Sequence, residues 1–124
     1  MNPGSFEAST AALEDGIRIV SVRGELDLGT APELEGPLAE AVGANQPLLI
    51  DLSQCEFIDS TGIAMIVRAW QQLADGDSAS QRVVICSDNE QVRRVLEITG
   101  LELSIPVHTS REEALAALRG SHES

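Results

Sequence analysis

The sequence predicts a single α/β domain, built from a small mixed β-sheet with an antiparallel opening hairpin and about four packed helices. Three observations support this prediction. The chain has 124 residues, which suffice for one hydrophobic core but not for two. Short apolar runs typical of buried strands alternate with longer segments whose apolar residues recur at the helical period. The first two segments show instead the alternation and intervening turn of a hairpin.

The opening hairpin is predicted from residues 5–23. Residues 5–13 form the first strand candidate, and Glu14-Asp15-Gly16 reads as a turn in which Gly16 supplies a positive φ. Residues 17–23 alternate apolar and polar side chains, as expected of a half-buried strand paired with the first.

A helix is predicted to follow at Thr30. Thr30 can serve as its N-cap, Glu33 can complete a capping box, and proline is tolerated in the first turn. An apolar stripe at helical spacing continues the pattern and comprises Leu34, Leu38, Ala41 and Val42. Pro37 lies inside this stripe and is expected to kink or shorten the helix.

The rest of the chain continues the alternation of strands and helices. Residues 60–74 predict the strongest helix, because its apolar residues share one face; they are Ile63, Ile66, Val67, Trp70 and Ala74. The other predicted elements are strands over 47–52, 82–86 and 103–107, a polar loop over 76–80, a helix over 89–99 stopped by Gly100, and a helix from the capping box Ser110–Glu113 through Leu118. We expect a core of about residues 5–119 and a frayed tail at 120–124.

The charge of the chain excludes several functions. The formal net charge is -12, and all eight basic residues are arginine. Such acidity argues against nucleic acid and anionic membranes as partners. The absence of lysine excludes Schiff-base chemistry and P-loop phosphate binding. No apolar run approaches the ~18 residues of a membrane span, and residues 1–6 lack signal-peptide features, so we expect a cytoplasmic protein.

The cysteines and histidines do not predict a cofactor or metal. Cys55 and Cys86 adjoin apolar stretches and are expected to be buried, reduced thiols. Together with His108 and His122 they lack the spacing of zinc ligands. We therefore expect neither a metal nor a cofactor.

The segment from Phe57 to Ile63 is the strongest functional candidate. Asp59 or Ser60 is suited to cap the helix, and Gly62 is expected to let another molecule approach the backbone. The simpler interpretation is an N-cap and a tight turn. The functional interpretation is a regulated serine, because free N–H groups and the helix dipole favour a phosphate at a helix N-terminus.

Catalysis by Ser60 is disfavoured by its surroundings. A nucleophile elbow requires Gly-x-Ser-x-Gly, and the first glycine is missing here. A serine nucleophile also needs a base, whereas His108 and His122 are more simply explained as surface groups. A phosphotransfer receiver domain is also disfavoured, because it needs a lysine and a phosphoacceptor aspartate that ends a strand, and Asp51 is followed by more strand.

A second candidate is the acidic segment from Gly24 to Thr30. Glu25 and Asp27 lie between a strand and a helix and are either part of a solvated loop or a negative rim beside the first segment. Asp51 could add to that rim, although a carboxylate within an apolar strand is more often an internal hydrogen-bond acceptor.

Three segments resemble the signatures of the STAS domain found in anti-sigma factor antagonists. They are Gly24–Leu34, Leu49–Gly62 and Val92–Leu101, and the resemblance covers about residues 5–119 in the order of the family. It implies that Ser60 is phosphorylated by a partner that is both an anti-sigma factor and an ATP-dependent serine kinase. The unphosphorylated form would bind that partner and free a sigma factor, and a serine phosphatase would restore it. The resemblance also implies that the domain has no catalytic site.

The predicted partner surface surrounds Ser60. It comprises Asp27, Thr30, Asp59, Ser60, Thr61, Gly62, Met65 and Arg68, with Met65 expected to be an exposed apolar contact on a polar helix face. Phosphorylation is expected to switch binding off without refolding the domain. The alternative is a STAS subunit of another assembly, such as a lipid-transport complex or a stress-signalling scaffold, in which the serine is less diagnostic.

Overall fold

The computed structural model describes residues 6–74 and 83–120 of the chain. Its elements are β1 (Glu7–Ala12), β2 (Arg18–Leu26), α1 (Ala31–Gly43), β3 (Leu48–Ile58), α2 (Ser60–Ala74), β4 (Val83–Cys86), α3 (Glu90–Ile98), β5 (Val107–His108) and α4 (Arg111–Gly120). A short 3-10 turn, Leu101–Leu103, links α3 to β5. The predicted loop at 76–80 and residues 121–124 of the predicted tail lie outside the described residues.

The five strands form one mixed sheet in the order β1-β2-β3-β4-β5. β1 and β2 are antiparallel, and the later neighbours are parallel. Gly16 adopts a φ of 92° in the hairpin turn, as the sequence predicted. The predicted mixed sheet with an antiparallel opening hairpin is therefore confirmed.

The helices cover both faces of the sheet unequally. The main core buries side chains of α1, α2 and α3 against residues such as Ile50 and Ile85. A smaller core on the opposite face buries Leu118 of α4 against Leu49 and Val84. Adjacent residues of one strand serve different cores because successive side chains point to opposite faces. This explains why β3 and β4 read as continuous apolar runs rather than as alternating ones.

Several boundaries differ from those predicted. β2 and β3 run on to Leu26 and Ile58, because their parallel pairing continues through Glu25–Phe57 and Leu26–Ile58 despite polar residues in both strands. α1 runs unshortened through Pro37. The carbonyl of Glu33, which loses its helical donor there, belongs to an exposed residue that water can reach.

The predicted last strand forms, but at Val107–His108 instead of 103–107. Gly100 adopts a φ of 78°, and Leu101–Leu103 then forms a 3-10 turn in which Leu103 and Ser104 donate to the carbonyls of Gly100 and Leu101. Only Val107–His108 pairs with β4. The turn buries Leu101 and Ile105, so local hydrogen bonds replaced the strand that the apolar residues suggested.

Asp51 of β3 is buried and anchors α4 to the sheet. Its Oδ1 accepts hydrogen bonds from the Ser53 N–H at 2.9 Å, the Ser53 hydroxyl at 2.6 Å and the Cys86 thiol at 3.2 Å. Nη2 of Arg111 lies 2.7 Å from Oδ2. The interpretation of Asp51 as an internal acceptor is confirmed, and it does not contribute to the acidic rim. Burial raises the pKa of Asp51, but the hydrogen bonds from Ser53, Arg111 and Cys86 outweigh it and hold the pKa below its ordinary value.

We predict that Asp51→Asn lowers the free energy of unfolding by about 1–2 kcal/mol at neutral pH, because the amide cannot accept all of these bonds. The folded-state pKa lies below the ordinary 3.8, so the carboxylate stabilises the fold above that pH and its contribution is lost as the pH falls through the folded value. The difference between the two proteins should therefore narrow below about pH 4. Urea unfolding from pH 3 to 7 measures this.

A matched control for this prediction is Glu7→Gln, which breaks an exposed ion pair with Arg23 whose N–O distance is 2.8 Å. Exposed pairs contribute less than about 1 kcal/mol, so this variant should change stability little. A difference between wild type and Asp51→Asn that is constant across the pH range would contradict the assigned role of the carboxylate.

Both cysteines are free and buried, as predicted. Burial raises the pKa of the Cys55 thiol. Burial, followed by the Asp51 carboxylate, raises the pKa of Cys86 to about 12. Both thiols are therefore protonated at neutral pH and act as packing groups. Within residues 6–74 and 83–120, no helix is long and apolar enough to span a membrane, and no cluster of metal-ligating side chains occurs.

Candidate functional site

The site lies where β2 and β3 end side by side. Leu26 and Ile58 are paired at the ends of these parallel strands. The chain then continues from β2 into the loop Asp27–Thr30, here called the β2–α1 loop, and from β3 into Asp59–Gly62, here called the α2 start. Parallel strands bring their carboxyl ends to the same edge, so the two acidic segments that the sequence singled out become neighbours.

Asp59 caps α2 and joins the two segments. Its Oδ1 accepts hydrogen bonds from the N–H groups of Thr61 at 2.9 Å and Gly62 at 3.2 Å. Its Oδ2 accepts a hydrogen bond from the N–H of Leu28 at 3.2 Å. Of the two capping residues that the sequence allowed, Asp59 therefore fills the role and leaves the Ser60 side chain free of it.

Thr30 does not cap α1 as predicted. Its hydroxyl instead accepts a hydrogen bond from the Asp27 N–H at 2.9 Å and donates to the Glu25 carbonyl at 2.7 Å. Oδ1 of Asp27 accepts from the Thr30 N–H at 3.1 Å. The capping box with Glu33 cannot form because the hydroxyl is already used within the β2–α1 loop. Thr30 and Asp27 thus stiffen this loop.

Gly62 is required for internal packing rather than for the approach of a partner. The residue is buried, and a Cβ added there would lie 2.8 Å from Cγ of Leu26 and 2.9 Å from Cγ1 of Ile58. The prediction that Gly62 exposes its backbone to another molecule is therefore wrong. Its missing side chain lets α2 begin directly over the ends of β2 and β3.

Met65 is also not the exposed contact that was predicted. Only 9% of it is accessible, and it belongs to the main core. The reason is that α2 packs against α1 as well as the sheet, which widens its buried face. Met65 instead lines a groove of about 230 Å³ between α1 and α2, whereas Arg68 on its rim is exposed, as predicted.

The burial predicted for the other apolar residues of α2 is confirmed only in part. Ile63 and Ile66 are buried, while Val67 and Trp70 are only partly so. The side chain of Ala74 lies outside the described part of the chain. The sequence pattern placed the buried face of α2 without Met65, because the spacing of apolar residues along one helix does not show that α1 packs against it.

Ser60 is the first residue of α2 and is exposed. Its hydroxyl makes no hydrogen bond to any described residue. The neighbouring carboxylates are those of Asp27 and Asp59. The ion pairs of the described residues are Arg18–Glu40, Arg23–Glu7, Arg111–Asp51 and Arg119–Asp15, so none of these pairs involves Asp27 or Asp59. The site is an accessible hydroxyl in negative surroundings.

Among the described residues, no histidine forms a hydrogen bond with Ser60. His108 lies on the edge strand β5 and is half-buried, with Nε2 buried and unpartnered, so its prediction as a simple surface group is only partly correct. His122 lies outside the described residues. The pairing of nucleophile and base that a serine hydrolase requires is therefore not formed by the described residues.

Leu28 is a residue that the sequence reasoning missed. The residue is 73% exposed at the middle of the β2–α1 loop, and its backbone N–H donates to the carboxylate of Asp59. The sequence feature that could have identified it is an apolar residue between Asp27 and Gly29, in a segment that is otherwise typical of a polar loop. A single exposed leucine is common on protein surfaces, and only the fold places this one beside Ser60.

The fold and the site define a class of small α/β domain with an exposed serine at the start of a helix. The carboxylates of Asp27 and Asp59 support that helix start by accepting hydrogen bonds from backbone N–H groups. Residues 9–114 match the family model described as STAS domain. The chain therefore belongs to the STAS domain family, as the sequence signatures indicated.

Several relatives of this chain are anti-sigma factor antagonists. The anti-sigma-F factor antagonist RsfB of Mycobacterium tuberculosis is 32% identical over 112 residues, covering 90% of this chain and 88% of the relative. The anti-sigma-B factor antagonist of Staphylococcus aureus is 31% identical over 94 residues, covering 75% and 84%. A crystal structure of an anti-sigma factor antagonist from Mycobacterium paratuberculosis superposes with a TM-score of 0.84 at 30% identity, covering 95% and 97%.

Proposed function

We propose that this protein is an anti-sigma factor antagonist, which binds an anti-sigma factor with serine kinase activity and so releases a sigma factor. The proposal is supported by the relatives, which carry this function in their names and match most of this chain. The observation that carries it is the position of Ser60, exposed and unbonded at the start of α2. The protein would act by binding, as a cytoplasmic regulator without catalysis of its own.

The geometry supports control by phosphorylation at Ser60. The N–H groups of Thr61 and Gly62 already donate to Asp59, so they are not free to neutralise a phosphate on Ser60. This refines the expectation from sequence that free N–H groups at the helix start would hold the phosphate. The added charge of roughly -1.5 to -2 would remain exposed beside the carboxylates of Asp59 and Asp27.

Such a charge would oppose docking without disturbing the fold. The framework of the site is held by hydrogen bonds that do not involve the Ser60 hydroxyl, so modification leaves them in place. A partner that covers Ser60 would have to desolvate the phosphate beside like charges, which costs several kcal/mol. Removal of the phosphate by a serine phosphatase would restore binding.

A phosphorylation assay tests this proposal. The wild-type chain and Ser60→Ala are incubated with ATP and each purified anti-sigma factor kinase of the host, and the products are examined by mass spectrometry. We expect a single phosphate on Ser60 in wild type and none in Ser60→Ala. Absence of modification and of binding with every kinase would contradict the proposal and favour a STAS subunit of another assembly.

A further inference from the structure

Five of the eight residues predicted to contact a partner serve the internal structure of the site. The side chains of Asp27, Thr30 and Asp59 satisfy N–H and carbonyl groups of the chain's own backbone. Gly62 and Met65 are buried. These five residues therefore build the site without offering much of their surface to another protein.

Within the β2–α1 loop and the α2 start, two exposed residues carry a side chain. One is Ser60. The other is Leu28, a residue that is 73% exposed although leucine gains free energy from burial. The backbone N–H of Leu28 donates to the carboxylate of Asp59, the residue immediately before Ser60, so the loop that carries Leu28 is joined to the start of α2.

The β2–α1 loop holds Leu28 in a fixed position. Hydrogen bonds join Asp27 and Thr30 in both directions at 2.9 and 3.1 Å, and the Thr30 hydroxyl fastens the loop to the Glu25 carbonyl at 2.7 Å. The Ala31 N–H also donates to the Asp27 carbonyl at 2.8 Å. Because the backbone of the loop is already held by these bonds, binding through Leu28 requires little further ordering of the backbone.

We propose that Leu28 is the apolar anchor of the antagonist, which inserts into an apolar pocket of the anti-sigma factor next to the surface that covers Ser60. This inference rests on the function proposed above and names a residue on which the affinity for that partner depends. An apolar anchor suits this site, because the nearby carboxylates are engaged internally and contribute little new contact.

The proposed anchor also explains why one phosphate suffices as a switch. A side chain buried in an apolar pocket excludes water from its surroundings, and Ser60 lies at the margin of that contact. A phosphate on Ser60 would then lose its hydration when the partner binds. At a polar interface that retains water, the same phosphate could remain hydrated and would oppose binding less.

Calorimetric titration of the purified anti-sigma factor kinases of the host with Leu28→Ser tests the inference. We expect Kd to rise about 30-fold or more relative to wild type, which is the threshold usual for a binding hot spot. Leu28→Met should keep Kd within about threefold, since it preserves the apolar contact. The melting temperature should not change, because the side chain is exposed and the backbone N–H remains.

Leu103→Ser is the matched control. Leu103 is 88% exposed in the turn after α3, and its replacement should leave Kd unchanged. If wild type binds a kinase and Leu28→Ser binds it equally well, or if Leu103→Ser weakens binding as much, the anchor is wrong while the proposed function stands. If wild type binds none of the kinases, the proposed function itself fails.

Discussion

Replacing Ser60 by aspartate should weaken binding of the anti-sigma factor kinase by about a thousandfold, which corresponds to ~4 kcal/mol. The exposed hydroxyl belongs to the residue after Asp59, and the N–H groups of Thr61 and Gly62, which could help to neutralise a new charge, already donate to Asp59. The introduced carboxylate would therefore be buried unpaired on docking, next to a like charge. Calorimetric titration of the kinase with each variant measures the effect.

Ser60→Asn is the control that isolates the charge, since asparagine has the size and shape of aspartate. It should bind within about tenfold of wild type, and neither variant should change the melting temperature, because Ser60 takes no part in the hydrogen bonds of the framework. Equal affinities for the aspartate and asparagine variants would show that bulk rather than charge controls binding. Retention of wild-type affinity by Ser60→Asp would remove the switch altogether.

Replacing Gly62 by alanine should lower the free energy of unfolding by roughly 3 kcal/mol. The new Cβ would lie 2.8 Å from Cγ and 2.9 Å from Cδ2 of Leu26, and 2.9 Å from Cγ1 of Ile58. Leu26 and Ile58 are 0% and 1% exposed and cannot move into solvent, so α2 must shift away from the sheet. Urea unfolding gives the change in stability.

Gly43→Ala supplies the opposite expectation. Gly43 is the last residue of α1, and a Cβ there would meet no atom within 4 Å beyond its neighbours in the chain. The alanine should stabilise the protein by about 0.5–1 kcal/mol, because it restricts the unfolded chain and favours the helix. If both glycine variants changed stability in the same direction and amount, helix propensity would explain Gly62, and the packing argument would be wrong.

The helix start at residues 59–62 illustrates how far sequence reasoning reaches. An acidic residue and a serine before an apolar helical stripe indicate a cap, and Asp59 does cap α2. The role of Gly62 could not be inferred in the same way, because the atoms that exclude a Cβ belong to Leu26 and Ile58 of two different strands. Met65 was misjudged for the same reason, since α1 buries it.

The roles of residues in the β2–α1 loop also could not be inferred from the sequence alone. Its acidic residues are equally consistent with a solvated loop and with a negative rim. The structure makes Asp27 a partner of Thr30 and turns Leu28 outward, through a hydrogen bond to Asp59 that spans 31 positions. Asp51 depends on a still longer connection, 60 positions to Arg111, which no local pattern encodes.

The sequence by itself determined the fold class, the order of strands and helices and the placement of Ser60 at a helix start. These features follow from periodicity, capping and turn chemistry, which act over a few neighbouring residues. Only the tertiary structure decided which polar side chains serve the framework, why Gly62 must be glycine, and that Leu28 and Ser60 face outward together. Those outcomes depend on distant segments packing against one another, and packing is set by shape and by the three-dimensional position of each donor and acceptor.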